Sequence, residues 1–236
     1  HVVEPEAGAA QRLAGLGVTV VATAVELPGT AETVIFAVKP QIMNAVVPDY
    51  KRLATDETVF LSIAAGCTIA LFETHLGAVP VVRAMPNTPA AIGLGMTVAC
   101  ANARTSDGQK ARCQQLLEAV GEVAWVSEEG LMDPVTAVSG SGPAYVFLLI
   151  ETLAAAGVEA GLGADLAMRL ARATVRGAGE LASRSQDAPD QLRVNVTSPG
   201  GTTAAALDVL MAEDGLGRLM KRAVLAATDR SKALAG

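Results

Sequence analysis

The chain has 236 residues, 51% hydrophobic but only 3% aromatic, and carries a formal net charge of −6. That length builds one large or two modest cores, and the acidic balance, with no Lys/Arg cluster beyond two adjacent residues, argues against a nucleic-acid groove. Three cysteines without CxxC spacing and two distant histidines offer neither a disulfide framework nor a metal site, and point to a reducing, cytoplasmic compartment.

In chain order, Val2-Val3-Glu4 reads as the end of a short strand. Pro5 opens a helical pattern to about Leu16, with Gly17 as its stop. Val18–Ala22 is the next strand. Val34–Val38, a continuous apolar run of strand length, precedes Lys39-Pro40-Gln41 and a helix through about Leu53. Val59–Ile63 repeats this design and leads through Ala64-Ala65-Gly66-Cys67-Thr68 into a helix ending near Leu76. Val79–Ala84 feeds the loop Met85-Pro86-Asn87-Thr88-Pro89, and Gly95–Cys100 and Glu122–Val126 bracket a helix near 106–120. Strands alternating with helices predict an α/β fold with a mostly parallel sheet over residues 1–128.

From Glu129 to the end (129–236) the pattern is helical: Pro143–Ala156, Asp165–Ser183, Pro189–Asn195, Thr203–Glu213 and Leu216–Ala233. The first of these is apolar around nearly its whole circumference, so it is either central to a large core or buried against a second subunit. The longest apolar run, Ala144–Ile150, is closed by Glu151, and no membrane span is expected. No signal peptide is visible.

Ligands of open α/β sheets sit beyond the strand carboxyl ends. Segments there are Glu4 to Glu6, Val38 to Gln41, Ala64 to Cys67, and Met85 to Pro89, which together suit an extended ligand such as a dinucleotide. No GxGxxG is present, and Gly140-Ser141-Gly142 follows no strand. On the dinucleotide reading, the first strand, its glycine loop and the first helix are expected ahead of His1. Glu4 then ends the second strand, where a carboxylate binds ribose hydroxyls, and Glu4 and Glu6 repel a 2′-phosphate, favouring NADH over NADPH. The alternative is a solvated acidic helix start. Lys39 faces either a phosphate or water; Asn87 either contacts a ligand or shapes its turn. Cys67 is a small filler. Glu128 and Glu129 fall where the pattern changes, beside a substrate or as hinge carboxylates.

A chemically distinct stretch, Asn195-Val196-Thr197-Ser198-Pro199-Gly200-Gly201-Thr202-Thr203, separates two helices in the last third of the chain. The glycines leave amides uncovered, and Thr202 or Thr203 is expected at a helix N-cap. The stretch is either an anion site for a small carboxylate or an ordinary cap.

These blocks coincide with a known family. Val196 to Thr203, Ala37-Val38-Lys39-Pro40-Gln41, Ser62-Ile63-Ala64-Ala65-Gly66, Arg83 to Pro89, and Val138-Ser139-Gly140-Ser141-Gly142-Pro143-Ala144-Tyr145 resemble the motifs of pyrroline-5-carboxylate reductase. The resemblance runs from about Val2 to Lys232. It implies an N-terminal Rossmann-like domain, with its first strand and glycine loop missing, followed by an all-helical dimerisation domain that interlocks two subunits, often within larger rings of dimers. It implies NAD(P)H-dependent reduction of a cyclic imino acid, 1-pyrroline-5-carboxylate, to L-proline, the last step of proline biosynthesis, without a metal. By motif, Val38, Lys39, Pro40, Gln41, Ile63, Ala64 and Ala65 contact the cofactor, and Asn195 reaches it. Glu129 lies near the substrate, which Thr202 and Thr203 bind. From its chemistry the stretch from Ser198 through Gly200 and Gly201 to Thr203 is expected to clamp the substrate carboxylate through amides and hydroxyls, with Thr203 reaching the ring nitrogen. The family usually favours NADPH, against the electrostatics of Glu4. Two rival classes are a related dehydrogenase, which usually carries a catalytic Lys where Gly157–Gly200 has none, and a non-catalytic dimeric binding protein.

Overall fold

The computed structural model describes residues 1–235. The chain divides into two compact units, one of His1–Thr136 together with the residues from Ser231, the other of Ala137–Arg230.

In the first unit, β1 (Val2–Val3) and β2 (Val20–Val21) pair in parallel, with α1 (Ala7–Ala14) between them in sequence. A second sheet holds β3 (Thr33–Phe36), β4 (Val59–Ser62), β5 (Val81–Met85), β6 (Gly95–Ala101) and β7 (Gly121–Trp125), in that spatial order. Its pairings are parallel except β5 with β6. The exception follows from the connection: only a 3-10 turn at Thr88–Ile92, and no crossover α-helix, separates Met85 from Gly95, and only antiparallel neighbours can be joined that briefly. Gly93, at φ 73°, makes the turn.

The central strands β4 and β5 read as nearly unbroken apolar runs because both of their faces are covered. Along β4, Phe60 enters a cluster with Phe36, Met43, Val47 and Phe72, while Val59 and Leu61 enter another with Val82, Ala99, Cys113 and Leu117. That is the period of two of a strand buried twice. The helices α3 (Ile69–Leu76) and α4 (Asp107–Glu118) supply the covering side chains Phe72, Cys113 and Leu117. The single helix expected through Leu53 is instead a 3-10 turn at Pro40–Ile42, the short α2 (Met43–Val46) and a 3-10 run over Val47–Leu53. Pro48 explains the break, since it offers no N–H to an α-helical ladder.

Beyond the short α5 (Met132–Val135) and a π-helical turn at Thr136–Gly140, the second unit is built from α6 (Gly142–Glu159), α7 (Ala164–Arg184), α8 (Pro189–Asn195), α9 (Thr202–Leu210) and α10 (Leu216–Ala235), the last continuing past Arg230. Small residues bring α6 and α7 together: Ala154, Ala167 and Ala171 are buried, and a Cβ placed on Gly157 would lie 3.3 Å from that of Ala167. Of the two settings expected for α6, a large core is not realised within this chain. Ala154 is its buried residue, whereas Phe147 and Leu148 are 57% and 58% exposed. The helical stretch Glu129–Glu159 also meets the length and hydropathy of a membrane span, where none was expected. Glu151 stands inside it, and a carboxylate at mid-bilayer costs about 2.5–3.5 kcal/mol.

Candidate functional site

The chemistry-bearing loops of the first unit gather at strand ends. Glu4 follows β1 and Val38 follows β3, and both line one cavity of about 790 Å³ that also meets Val2, Val3, Thr33 and Ile35. Neither Glu4 nor Glu6 is an idle carboxylate. Glu4 Oε1 accepts from the Glu6 amide at 2.9 Å. Glu6 is the N-cap of α1, taking the Gly8 amide at 2.9 Å and the Ala9 amide at 2.6 Å. Glu6 therefore performs the helix-start role, while Glu4 presents its charge at the cavity wall.

Lys39 precedes the turn at Pro40 and Gln41, all three exposed. Among the described ion pairs none uses its ammonium. After β4, Ile63 donates to Phe36 O at 3.1 Å, Ala64 is buried with its amide 3.3 Å from Ser62 Oγ, and Ala65 is exposed. Gly66, at φ 74°, lets the chain turn into α3. Asn87 Oδ1 accepts from the Met96 amide at 2.9 Å, which joins its loop to β6 and gives it a turn-shaping role.

Glu129 is held more firmly than a hinge carboxylate would be. Its Oε1 accepts from the Ile69 amide at the start of α3 at 2.8 Å and from Arg83 Nη1 at 3.0 Å. Arg83 is 4% exposed on β5. A guanidinium so placed needs a carboxylate partner, so Arg83 is the residue that fixes Glu129. The signal was available: Arg83 is the one charge in the apolar run Val79–Ala84.

The three cysteines are free and buried. Burial raises the Cys67 thiol, opposed by Arg83; it raises Cys100, helped by Glu129 and opposed by Arg83. Neither environment makes a thiolate nucleophile. Among the described residues, no group of three or more His, Cys, Asp or Glu converges as a metal site.

In the second unit, Ser198-Pro199-Gly200-Gly201 forms a tight turn closed by the Gly201 amide on Ser198 O at 3.0 Å. Proline at its second position and Gly200 at φ 67° are the marks of a type II turn. A Cβ on Gly201 would meet Ser198 O at 3.1 Å. The expected cap is displaced by one residue: Gly201, not Thr202 or Thr203, is the N-cap of α9, and no side chain caps the helix. The turn spends its closing bond on Gly201 and places both threonines inside the first turn, so their hydroxyls are not drawn into capping. The amides of Thr202, Thr203 and Ala204 precede the first residue able to find an acceptor in the helix; Ala205 is first, bonding Gly201 O at 3.2 Å. Oriented amides, two hydroxyls and the positive helix end are the ingredients of an anion site. Asn195 lies just upstream, receiving a bond from Gln191 at 2.8 Å and donating to Asp187 at 3.3 Å.

A mostly parallel sheet with accessible loops beyond its strand ends, followed in sequence by an all-helical unit, is the architecture of a dinucleotide-dependent oxidoreductase. Comparison with known proteins narrows the class. Residues 129–234 match the family model described as pyrroline-5-carboxylate reductase dimerisation. The chain is 42% identical over 234 residues to pyrroline-5-carboxylate reductase of Pseudomonas aeruginosa, covering 98% of this chain and 85% of that one. A solved structure of a pyrroline-5-carboxylate reductase from Coxiella burnetii superposes with a TM-score of 0.89 at 38% identity, covering 94% of this chain and 83% of the other. The Plasmodium falciparum enzyme, solved with NADP bound, gives a TM-score of 0.81 at 33% identity over 93% of this chain and 83% of its own. The chain belongs to the pyrroline-5-carboxylate reductase family.

Proposed function

We propose that the protein reduces 1-pyrroline-5-carboxylate to L-proline with a hydride from NADPH or NADH, as a cytoplasmic homodimer assembled through its helical part. The observation that carries the substrate assignment is the uncapped start of α9. The division of labour places the dinucleotide in residues 1–128 and the substrate and dimer contacts in 129–236; the dimerisation match beginning at residue 129 supports that boundary.

The residues present suit a dinucleotide. Lys39 enters none of the described ion pairs, Val38 to Gln41 form an accessible turn, Ala65 is exposed with little bulk over its backbone beside Ile63 and Ala64, and Glu4 stands at the cavity wall. Asn87 and Asn195 contribute at the edges. When bound, the cofactor supplies a hydride to the imine carbon. The ring nitrogen takes a proton, and an iminium accepts hydride better than a neutral imine, so no nucleophile or metal is required. What the chain must supply is orientation, worth roughly 7–11 kcal/mol of barrier. Ser198, Gly200, Gly201 and Thr202 clamp the substrate carboxylate through amides and hydroxyls. The Thr203 hydroxyl holds the proton at the ring nitrogen. Glu129, fixed by Arg83 and the Ile69 amide, sets a negative charge near the substrate.

The test is Thr203→Ala in the purified protein, followed by pyrroline-5-carboxylate-dependent loss of reduced-nicotinamide absorbance. Turnover is expected to fall about 100-fold with a raised KM. Unchanged kcat and KM would remove Thr203 from the site, and absence of imine-dependent oxidation in the unsubstituted protein would remove the activity itself.

A further inference from the structure

On α6, Ala144, Phe147, Leu148, Glu151, Ala155 and Val158, spaced three and four apart, form an exposed face beside the buried Ala154. Glu151 is the one charged residue between Ser141 and Val158. When a second copy covers this face, that carboxylate leaves water, and a buried carboxylate without a cation is strongly unfavourable. A cation source lies on the next helix. Arg169, Arg172 and Arg176 stand at i, i+3 and i+7 of α7 and line, with Ile150, Ala173 and Val175, a pocket of about 570 Å³. None of the three takes part in an ion pair among the described residues. Glu180, one turn beyond Arg176, is already taken by Arg184. A threefold positive stripe on a chain of net charge −6 and a solitary carboxylate on an apolar face are complementary halves of one contact.

We propose that the Arg169–Arg172–Arg176 stripe of one copy receives the Glu151 carboxylate of a second copy, and that this pair, made twice across a two-fold axis, sets the register of the dimer. The inference rests on the homodimer reading above and adds the contact that specifies it. A two-fold interface makes every contact reciprocally, so one substitution removes two ion pairs, and charge complementarity of this kind selects partner and register.

Sedimentation equilibrium on Glu151→Lys and on Arg172→Glu, each checked for native circular dichroism, is expected to show dimer dissociation constants raised about 100-fold or more. Mixing the two variants is the decisive arm. In the mixed dimer the new lysine of one chain meets the new glutamate of the other, and the second contact keeps its original charges, so heterodimer forms where neither variant dimerises alone. If the unsubstituted protein dimerises and both variants dimerise as tightly, or if the mixture recovers nothing, the ion pair is overturned and the homodimer stands. A monomeric unsubstituted protein at all concentrations overturns both.

Discussion

On the proposed cofactor site, Glu4 is the carboxylate that would distinguish two cofactors differing by a phosphate. It is partly exposed, its Oε1 is anchored by the Glu6 amide, and it shares the cavity with Val38. A fixed negative charge several ångströms from a 2′-phosphate is repulsive by roughly 1–4 kcal/mol across the range from bulk water to a protein surface. Reduced NADH is therefore expected to be accepted, despite the NADP seen in the P. falciparum relative. Glu4→Gln keeps an amide oxygen for the Glu6 bond and removes the charge. It should raise kcat/KM for NADPH relative to NADH by about tenfold, and an unchanged ratio would place the 2′-phosphate elsewhere. Cys67 illustrates the complementary case. It stands near the same strand ends, but with a thiol raised by burial it fills space and does no chemistry.

At the scale of elements, legibility tracked burial. β4 and β5 announced themselves because a strand covered on both faces has no polar period to display, and β3 reads as an apolar run although its burial alternates. The helix after β3 was overread, since apolar spacing from Pro40 to Leu53 survives while Pro48 breaks the ladder beneath it. The α9 start was legible as an anion-prone loop, yet its cap was misplaced by one residue because the Ser198–Gly201 turn competes for the backbone. Arg83 and Glu129 are 46 residues apart in sequence, and no local pattern joins them. The packing of α4 on the sheet has a measurable signature. Cys113 is fully buried against the β4–β6 face, and burial pushes its thiol from 9.0 up to about 11, slightly opposed by Arg112. The unfolded chain loses this proton near 9 while the folded chain keeps it, so the folded state binds more protons in between. Stability is full below pH 9 and falls as pH rises toward 11, by on the order of 2 kcal/mol for this one group. Urea midpoints at pH 8 and 10.5 should show that decline, and Cys113→Ser, which titrates no thiol, should lose less stability over the same interval. Equal declines would refute it.

At the scale of the molecule, the chain folds into two compact units, and the helical one leaves its most apolar helix uncovered within a single chain. An apolar face left in water is an aggregation liability until a partner covers it. Leu148, 58% exposed on α6, is where a charge should interrupt it: Leu148→Lys is expected to slow heat-induced aggregation, followed by light scattering, several-fold, and an unchanged rate would clear α6 of the ageing of the molecule.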